Sequence, residues 1–345
     1  MLKFKMGWAS ATGPDPEIVL SSRIRLARNF SHARFPHHST PKELKEVLDQ
    51  SFEALRKSKP FLRGAFLNLE ELDSTDRRFL MERHLISHHL MKESKFRGVS
   101  VGEEEILSVM INEEDHLRIQ GINSGLSLKE VGAQVKALDE ELGKKLPYAF
   151  ETKLGFLTAC PTNVGTGLRA SCLVHLPALT LTGQINRVLE GLSRLSLVAR
   201  GFYGEGTQVM GDFFQISNAT SLGHAEQDFT DNLEQVVRTL IQREKENQKN
   251  LAEGTQKLKT ENLVYRSLGI LTHARSISFE EAMQHLSYVR MGLSLKWDIP
   301  ASLEDLNELQ VLSQPAHIQM QAQKELEPLE RDEFRATLIR KRLQK

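Results

Sequence analysis

The chain has 345 residues, 40% of them hydrophobic and 26% charged, which is enough for two domains with a real core and gives no sign of disorder. Basic and acidic residues both number 45, so no net charge draws the whole chain to nucleic acid or to anionic lipid. No run approaches the roughly 18 apolar residues of a membrane span, and no signal peptide is evident. With only Cys160 and Cys172 there is no disulfide framework, and we expect a cytoplasmic protein.

The first two thirds of the chain are predicted to alternate helices with strands. In chain order these are helices over 41–58 and 75–92, strands over 105–112 and 116–122, a helix over 127–146 opened by a Ser127 cap, strands over 148–152, 155–159 and 170–176, a helix near 182–196, and strands over 197–203 and 211–218. Only Glu113, Glu114 and Asp115 separate the first two strands, so we expect an antiparallel hairpin with an acidic tip. This mixture predicts an α+β fold whose sheet begins near residue 105.

Beyond about residue 222 the strand patterns disappear. An apolar helical stripe runs into the polar segment 243–262, which is predicted to be a linker or an exposed helix end. Ser278 with Glu281, and Ser302 with Asp305, are two starts of the capping-box kind. The last 85 or so residues are therefore predicted to form a small helical domain.

The stretch CPTNVGTGLRAS, residues 160–171, carries the sharpest functional signal, for which a phosphate is the candidate ligand. Gly165, Gly167 and Ala170 satisfy the dinucleotide fingerprint G-x-G-x-x-A, and Glu190 lies 20 residues further on. That fingerprint requires a helix at its glycines, whereas the following run alternates as a strand. A Walker loop is excluded because no G-K-[ST] is present. A glycine turn that leads into a strand beginning with Arg169 remains.

Residues Cys160 to Arg169 match the pattern C-P-[ST]-N-x-G-T-[GS]-x-R at every position, and by this pattern the chain resembles the phosphagen (guanidino) kinases. Further matches follow in the family's order: VLSSRIRLARN over Val19 to Asn29, INEEDHLRI over Ile111 to Ile119, and RGFYGEG over Arg200 to Gly206. Within the family the chain is most similar to the bacterial protein arginine kinases, since Glu82 to Ser87 nearly match EKHLIS and Arg331 to Ala336 match RDxxRA.

The resemblance implies an antiparallel sheet flanked by helices over residues 1–250, as the catalytic domain, and an all-helical domain over 255–345 that dimerises or regulates. It also implies ATP and Mg²⁺ as cofactors. Transfer of a phosphoryl group to a guanidinium needs cations around the phosphates and carboxylates around the acceptor. The implied phosphate clamp consists of Arg23, Arg25, Arg118, Arg169 and Arg200. The rest of the implied ATP site consists of Ser21, Ser22, Ile24, His84, Ala170, Ser171, Cys172, Leu173, Gly201, Phe202, Tyr203, Gly204 and Glu205. Any one of these arginines, taken alone, is more often a surface ion-pair partner.

The acceptor guanidinium has a pKa above ~12 and must be oriented and lose a proton before it attacks. The resemblance implies Glu114 as the base, Glu205 as the second carboxylate that holds the guanidinium, and Cys160 as an accessory residue. An isolated acidic turn is more often plain solvated charge, and a lone cysteine is more often a small buried hydrophobe. His88 and His89 diverge on a helix, so no metal site formed by protein side chains is predicted.

The expected function is an ATP-dependent protein arginine kinase that acts on proteins with accessible arginines. Small-substrate relatives carry about a hundred residues of helical domain before the first motif, and here that motif begins at Val19. By resemblance we expect a homodimer, an activator protein and protease or chaperone partners, with no direct binding of membrane or nucleic acid. The resemblance further implies a phosphoarginine pocket formed by Arg331, Asp332, Arg335 and Ala336, whose alternative is a plain basic helix end. Two alternative functions remain: a kinase of a free guanidino compound, and an inactive adaptor that binds phosphoarginine.

Overall fold

The computed structural model of the chain describes residues 5–202 and 209–344, and it confirms the α+β class. One eight-stranded sheet organises the first part of the chain, in the order β2-β3-β4-β5-β1-β8-β10-β9, with every neighbouring pair antiparallel. Its strands are β1 (Val19–Arg28), β2 (Ala65–Asn68), β3 (Gly98–Val101), β4 (Leu107–Ile111), β5 (Leu117–Ser124), β8 (Leu168–His175), β9 (Leu197–Arg200) and β10 (Phe213–Asn218). A separate small hairpin pairs β6 (Phe150–Glu151) with β7 (Gly155–Phe156).

Helices cover one face of this sheet and continue into the C-terminal region. They are α1 (Pro41–Arg56), α2 (Ser74–Glu82), α3 (His88–Lys92), α4 (Leu128–Gly143), α5 (Pro177–Leu181), α6 (Ile185–Ser193), α7 (Glu226–Leu251), α8 (Lys257–His273), α9 (Phe279–Ser294), α10 (Leu303–Leu312), α11 (Pro315–Ala322) and α12 (Pro328–Leu343). The central strands and α1, α4, α6 and α7 share one hydrophobic core. In the part of the chain that the structure describes, no helix is long and apolar enough to cross a membrane.

Strand β1 shows how the sequence assigns the two faces of the sheet. Side chains alternate along a strand, and Ile24 and Leu26 point into the helix-covered core, where both are about 2% exposed or less. Arg23 and Arg25 therefore lie on the opposite face. The predicted hairpin is confirmed, because β4 and β5 pair with Ile111 opposite Leu117.

Three sequence predictions about elements need correction. The sheet does not begin at residue 105, because β1, β2 and β3 precede it. The predicted helix over 75–92 is two helices, interrupted after Glu82 by His84, whose φ of 60° is left-handed. Ser127 stands at the start of α4, but its hydroxyl donates to the Ser124 carbonyl instead of capping the helix.

The C-terminal region is helical, as predicted. The polar segment 243–262 contains the end of α7, a short turn and the start of α8. The Ser278 hydroxyl accepts from the Glu281 N–H at the start of α9, and Ser302 forms a reciprocal capping box with Asp305 at the start of α10. Both predicted helix starts are confirmed, since a side-chain oxygen satisfies a backbone donor that the helix itself leaves free.

The helical region packs directly against the sheet region. Trp8, Phe213 and Met283 belong to one buried apolar cluster that both regions share. Arg290 of α9, fully buried, donates to the carbonyls of Pro16 and Glu17 in the segment before β1. The two regions are thus joined by apolar packing and by directed hydrogen bonds.

The glycine turn before β8 gives a test of the fold. Gly167 has a φ of 67°, and a Cβ there would lie 2.6 Å from the Ala27 carbonyl oxygen and 2.7 Å from Nη1 of Arg28. Gly167→Ala should therefore lower the free energy of unfolding by roughly 2–4 kcal/mol, from backbone strain and a backbone clash.

The control is Gly132 in α4, where a Cβ would meet nothing within 4 Å. Gly132→Ala should raise the free energy of unfolding by about 0.5–1 kcal/mol, because alanine is the better helix former. Urea unfolding of both variants measures the difference. Equal effects of the two substitutions would contradict the assignment of Gly167 to a required left-handed turn.

Candidate active site

Five arginines lie on the face of the sheet that the core helices leave uncovered. In the central strands, Arg25 of β1 stands directly opposite Arg169 of β8, and opposite Gln120 of β5 on its other side. Residues directly opposite each other in an antiparallel pair share a face, as do residues two apart along a strand. Arg23 and Arg118, two positions from Arg25 and Gln120, are therefore on the same face.

The register extends this face to the edge of the sheet. Leu173 of β8, four positions from Arg169, pairs with Gln215 of β10, and Gln215 pairs with Arg200 of β9. Arg200 thus joins the other four arginines across strands β5, β1, β8 and β9. Strand pairing alone brings together arginines that, from one strand to the next along the chain, are 93 (Arg25 to Arg118), 51 (Arg118 to Arg169) and 31 (Arg169 to Arg200) residues apart.

This concentration of positive charge perturbs the arginines themselves. Burial, followed by the charges of Arg118, Arg169 and Arg200, lowers the pKa of Arg23 to about 10. Burial and its arginine neighbours also hold the pKa of Arg25 well below its usual value. Nε of Arg25 is buried without a hydrogen-bond partner among the described residues. Guanidinium groups that repel one another and retain an unused donor form a site for a multiply charged anion.

A cleft of about 320 Å³ opens over this face. Besides the five arginines it is lined by Met81, His84, Ile86, Ser87, His88, His89, Met110, Glu113, Glu114, Gln120 and Gln215. A second cleft of about 450 Å³ shares Arg25, Glu114, Arg118, Arg169 and Arg200 with the first, and continues to Cys160, Thr162 and Asn163. The two clefts form one continuous site with Glu114 and the arginines at the junction.

The segment 83–87, between α2 and α3, forms one wall of the first cleft. The His84 carbonyl accepts a hydrogen bond of 2.8 Å from Nε2 of Gln120, which ties the wall to β5. Burial, followed by the charge of Arg23, lowers the pKa of His84 to about 3, so the imidazole is neutral. A neutral ring beside the arginines adds no further positive charge to repel them.

The hairpin tip between β4 and β5 carries two adjacent glutamates with different environments. Glu113 is buried; its Oε2 lies 2.8 Å from Nη1 of Arg118, and its Oε1 accepts from the Ser87 hydroxyl at 2.6 Å. Burial alone would raise the pKa of Glu113, but Arg118, Ser87 and the Glu114 N–H together lower it. Burial raises the pKa of the half-exposed Glu114, against the opposing charge of Arg118 at 3.8 Å.

The hairpin tip is fixed to the loop that carries Cys160. Oδ1 of Asp115 accepts from Nδ2 of Asn29 at 2.6 Å and from the Ala159 N–H at 2.7 Å, while Asn29 Oδ1 accepts from the His116 N–H. Cys160 is partly exposed, and its Sγ lies 3.1 Å from the Thr162 hydroxyl. Glu114 and Cys160 are therefore held on walls of the same cleft by one hydrogen-bond network.

Comparison with known proteins agrees with this geometry. Residues 46–247 match the profile of the ATP:guanido phosphotransferase C-terminal catalytic domain, and residues 257–345 match that of the protein-arginine kinase McsB C-terminal domain. A protein-arginine kinase from Symbiobacterium thermophilum is 48% identical over 97% of this chain and 96% of its own length. The chain belongs to the protein-arginine kinase family of ATP:guanido phosphotransferases.

Other members of the protein-arginine kinase family and two solved structures support the same relationship. The protein-arginine kinase of Halalkalibacterium halodurans is 47% identical over 97% of this chain and 94% of its own. A lombricine kinase structure superposes with a TM-score of 0.59 and 31% identity, over 70% of this chain and 69% of that one. The duplicated taurocyamine kinase of Schistosoma mansoni, with bound transition state analog components, gives a TM-score of 0.62 and 25% identity over 71% of this chain, but this chain spans only 35% of that protein. The predicted family and fold are confirmed.

The structure divides the residues that the resemblance assigned to nucleotide binding. Ser21, Ser171, Leu173 and Phe202 lie on the cleft side, around a small extension of the first cleft beside His84. Gly201 is buried at the end of β9. Tyr203, Gly204 and Glu205 lie outside the described residues.

Four of the assigned residues do not line the cleft, and the expectation that they do is corrected. Ser22, Ile24, Ala170 and Cys172 alternate to the opposite face, where each is about 1% exposed or less. Ser22 donates to the Gly125 carbonyl, and burial raises the pKa of Cys172 to about 12. The motif is contiguous in sequence, but strand alternation gives every second side chain to the hydrophobic core.

The RDxxRA residues of this protein-arginine kinase lie on α12, away from the arginine face. Arg335 is 2% exposed and donates to the carbonyls of Ser313, at 2.7 Å, and Ile277, at 2.8 Å, and also to Asp332. Arg331 donates to the Leu326 carbonyl, and Ala336 packs in the core of the helical region. The expected phosphoarginine pocket is therefore not open in this structure, because the donors of Arg335 are directed to backbone carbonyls.

Some residues of the site were not predicted. Glu113, Gln120 and Gln215 line the cleft, and Glu113 neutralises Arg118. The sequence NEED, residues 112–115, contains two adjacent glutamates. Only the pairing register of the strands distinguishes the buried Glu113 from the more exposed Glu114. Gln120 and Gln215 stand in strands whose faces the sequence alone left unassigned.

The arginine face predicts opposite effects on anion binding and on stability. Arg25→Gln should weaken binding of ATP or inorganic tripolyphosphate by at least about 10-fold, through loss of charge-assisted hydrogen bonds. It should not lower the free energy of unfolding of the ligand-free protein, because it removes a charge that its neighbours repel.

Calorimetry and urea unfolding measure the two effects. The control is Arg187→Gln, which removes an equally positive but exposed side chain on α6 and should leave both quantities unchanged. Unaltered anion affinity in Arg25→Gln would refute the assignment of this face to phosphate binding.

Proposed function

We propose that this protein transfers the γ-phosphoryl group of ATP to arginine side chains of other proteins. The observation that carries the proposal is the single sheet face on which five arginines meet a carboxylate of raised pKa at the junction of two clefts. The protein-arginine kinases named above support the same acceptor. The unpartnered Nε of Arg25 and the lowered arginine pKa values fit a polyphosphate ligand.

In the proposed reaction a guanidino nitrogen of the acceptor attacks the γ-phosphorus. The bond from that phosphorus to the bridging β–γ oxygen breaks, ADP leaves, and the guanidino proton passes to a carboxylate. The arginine face holds the phosphate oxygens and offsets the charge that develops on them. Mg²⁺ bound to the ATP phosphates would neutralise part of the same charge.

Glu114 is the proposed base. Its carboxylate borders both clefts, whereas the neighbouring Glu113 is occupied by Arg118 and Ser87. Burial raises the pKa of Glu114, which makes its carboxylate a better proton acceptor. Glu205 is proposed as the second carboxylate, and Cys160, at the wall of the second cleft, as an accessory that contacts the acceptor.

The second cleft supports a macromolecular acceptor. Thr162 on its wall and the adjacent Pro161 are exposed, so a side chain that projects from a polypeptide has access from solvent. Incubation with Mg-ATP and an arginine-rich protein tests the proposal. Acid-labile phosphate on arginine is the expected product, and its absence would refute a kinase activity of this chain on proteins.

Glu114→Gln tests the proposed base. It keeps the shape of the side chain but removes the proton acceptor, so we expect the chemical step to fall on the order of 10²-fold or more with ATP affinity intact. In the wild-type protein, kcat/KM should fall as the pH drops through the raised pKa of Glu114. Single-turnover kinetics measure the step, and near-normal turnover in the variant would mean that another group accepts the proton.

The acceptor preference separates this proposal from the kinase of a free guanidino compound. Protein-bound arginine should be phosphorylated with a much higher kcat/KM per arginine than free L-arginine. Parallel assays with both acceptors at equal arginine concentration measure the ratio. Comparable values would favour the free-substrate alternative.

The two-domain division at 1–250 and 255–345, a homodimer formed through the helical domain, and a cytoplasmic location remain part of the proposal, as do an activator protein and protease or chaperone partners. So does a phosphoarginine pocket around Arg331, Asp332, Arg335 and Ala336. Because Arg335 already holds two carbonyls, such a pocket requires it to exchange partners or to act beside Arg331. Binding of a phosphoarginine analogue with the ATP site blocked, to wild type and Arg331→Ala, tests the pocket.

A further inference from the structure

Glu82, the last residue of α2, is a buried carboxylate that the reaction does not use. It is 1% exposed, and both of its oxygens accept hydrogen bonds from the start of α11. Oε1 accepts from the Ala316 N–H at 2.9 Å; Oε2 accepts from the His317 N–H at 3.1 Å and from His317 Nδ1 at 2.8 Å. A carboxylate that accepts hydrogen bonds from three donors of another helix fixes the orientation of the sheet region relative to the helical region. We call this contact between Glu82 and the start of α11 the joint.

The joint has a strong electrostatic basis. The first backbone N–H groups of a helix have no partner within the helix, and the helix dipole favours a negative charge there. Burying a carboxylate is costly unless hydrogen bonds satisfy it, and here the start of α11 supplies them. For Nδ1 of His317 to donate to a carboxylate, the imidazole must carry its proton on that nitrogen. The His317 ring also stacks on Phe79 of α2, with the ring centroids 4.3 Å apart.

The residues that directly follow Glu82 form the wall of the nucleotide cleft. Arg83 pairs with the buried Glu105, with 2.8 Å between Nη2 and Oε1. The His84 carbonyl is fixed to Gln120, and Ser87 donates to Glu113, which in turn pairs with Arg118. A shift of Glu82 would therefore move side chains that line the first cleft, where the proposed function places the phosphates.

On the other side, the joint is anchored deep in the helical region. The Ser313 carbonyl, just before α11, accepts from Nε of the buried Arg335 of α12 at 2.7 Å. The segment that begins α11 thus accepts a hydrogen bond from α12 and donates hydrogen bonds to Glu82 of α2. Hydrogen bonds joined by short backbone segments therefore connect α12 to the cleft.

We propose that Glu82 is a positioning residue through which the helical region sets the nucleotide affinity of the cleft. The proposal rests on the proposed function, since it assumes that the arginine face binds ATP. Glu82 touches neither ATP nor the acceptor; it acts by holding the 83–87 wall at a fixed distance from β5.

Glu82→Gln tests this role because it keeps the shape but turns an amide donor toward the donors of α11. We expect the Kd of Mg-ADP and the KM of ATP to rise about 10-fold or more, with a smaller change in kcat once ATP is saturating. Calorimetry with Mg-ADP and steady-state kinetics measure the two effects on the full chain. The wild-type protein is measured first, and its failure to bind Mg-ADP would refute the proposed function and not the joint.

Glu244 of α7 offers a matched control. It is also fully buried and caps a helix of another segment, accepting from the N–H groups of Ala178 at 2.8 Å and Leu179 at 3.0 Å at the start of α5. It does not line either cleft. Glu244→Gln should lower the melting temperature as Glu82→Gln does, but leave the Kd of Mg-ADP unchanged. Equal shifts of Kd in the two variants, or none in Glu82→Gln, would overturn the proposal.

His317→Gln alters the joint on the side of the helical region. It tests the proposal if Glu82→Gln does not fold. It removes the ring that contacts Oε2 and should raise the Kd of Mg-ADP in the same direction, by a smaller factor. When both variants fold, the double variant should bind Mg-ADP no more weakly than Glu82→Gln alone, because both act on one contact. An unchanged Kd in His317→Gln, or fully additive shifts, would contradict a single joint.

Discussion

The site depends on one electrostatic constraint, which is that five guanidinium groups share one face of a sheet. Burial, and after it the like charges of the neighbouring arginines, lowers the pKa values of Arg23 and Arg25, so their charged forms are disfavoured in the ligand-free fold. The rest of the structure keeps them together. Central strands fix their backbones, and the opposite face of the same strands is buried under helices, so the arginines have no alternative arrangement. A polyphosphate bound as the proposed function requires would offset this repulsion.

The two carboxylates of the hairpin tip show how the same residue type serves two purposes a single position apart. Glu113 is turned inward, where Arg118 and Ser87 lower its pKa, and it neutralises one arginine permanently. Glu114 is turned toward the junction of the clefts, where burial raises its pKa and leaves it able to accept a proton. Had both faced inward, the arginine face would have lost more of its charge, and the proposed base would not have bordered the clefts. The left-handed Asn112, with a φ of 57°, begins the turn that carries both glutamates.

Sequence reasoning predicted the family, the α+β class, the hairpin and the helical C-terminal region, because each leaves a local pattern or a long motif. It misjudged features that depend on register and tertiary contact. Ser22, Ile24, Ala170 and Cys172 were grouped with the arginines since a motif is contiguous in sequence, yet strand alternation sends them to the core. Helical spacing over 75–92 concealed the break at His84, because apolar residues there face the core in either conformation. Arg335 matched a motif, but its bonds to the Ser313 and Ile277 carbonyls require knowledge of three helices at once.

The contact between the sheet region and the helical region explains why the break at His84 matters. Apolar packing alone would tolerate sliding of one region on the other, since hydrophobic contact has little direction. Here buried polar groups fix the orientation: Arg290 reaches the carbonyls before β1, and Ser287 donates to Asp212 at 2.8 Å. Glu82 belongs to this set. Among the residues of these contacts it alone is followed directly along the chain by the left-handed His84 and the 83–87 wall of the cleft. The helical region has a hydrophobic core of its own, but the two regions also share a buried apolar cluster and these polar contacts. A change in the orientation of the helical region would reach the arginine face through the backbone of residues 83–87.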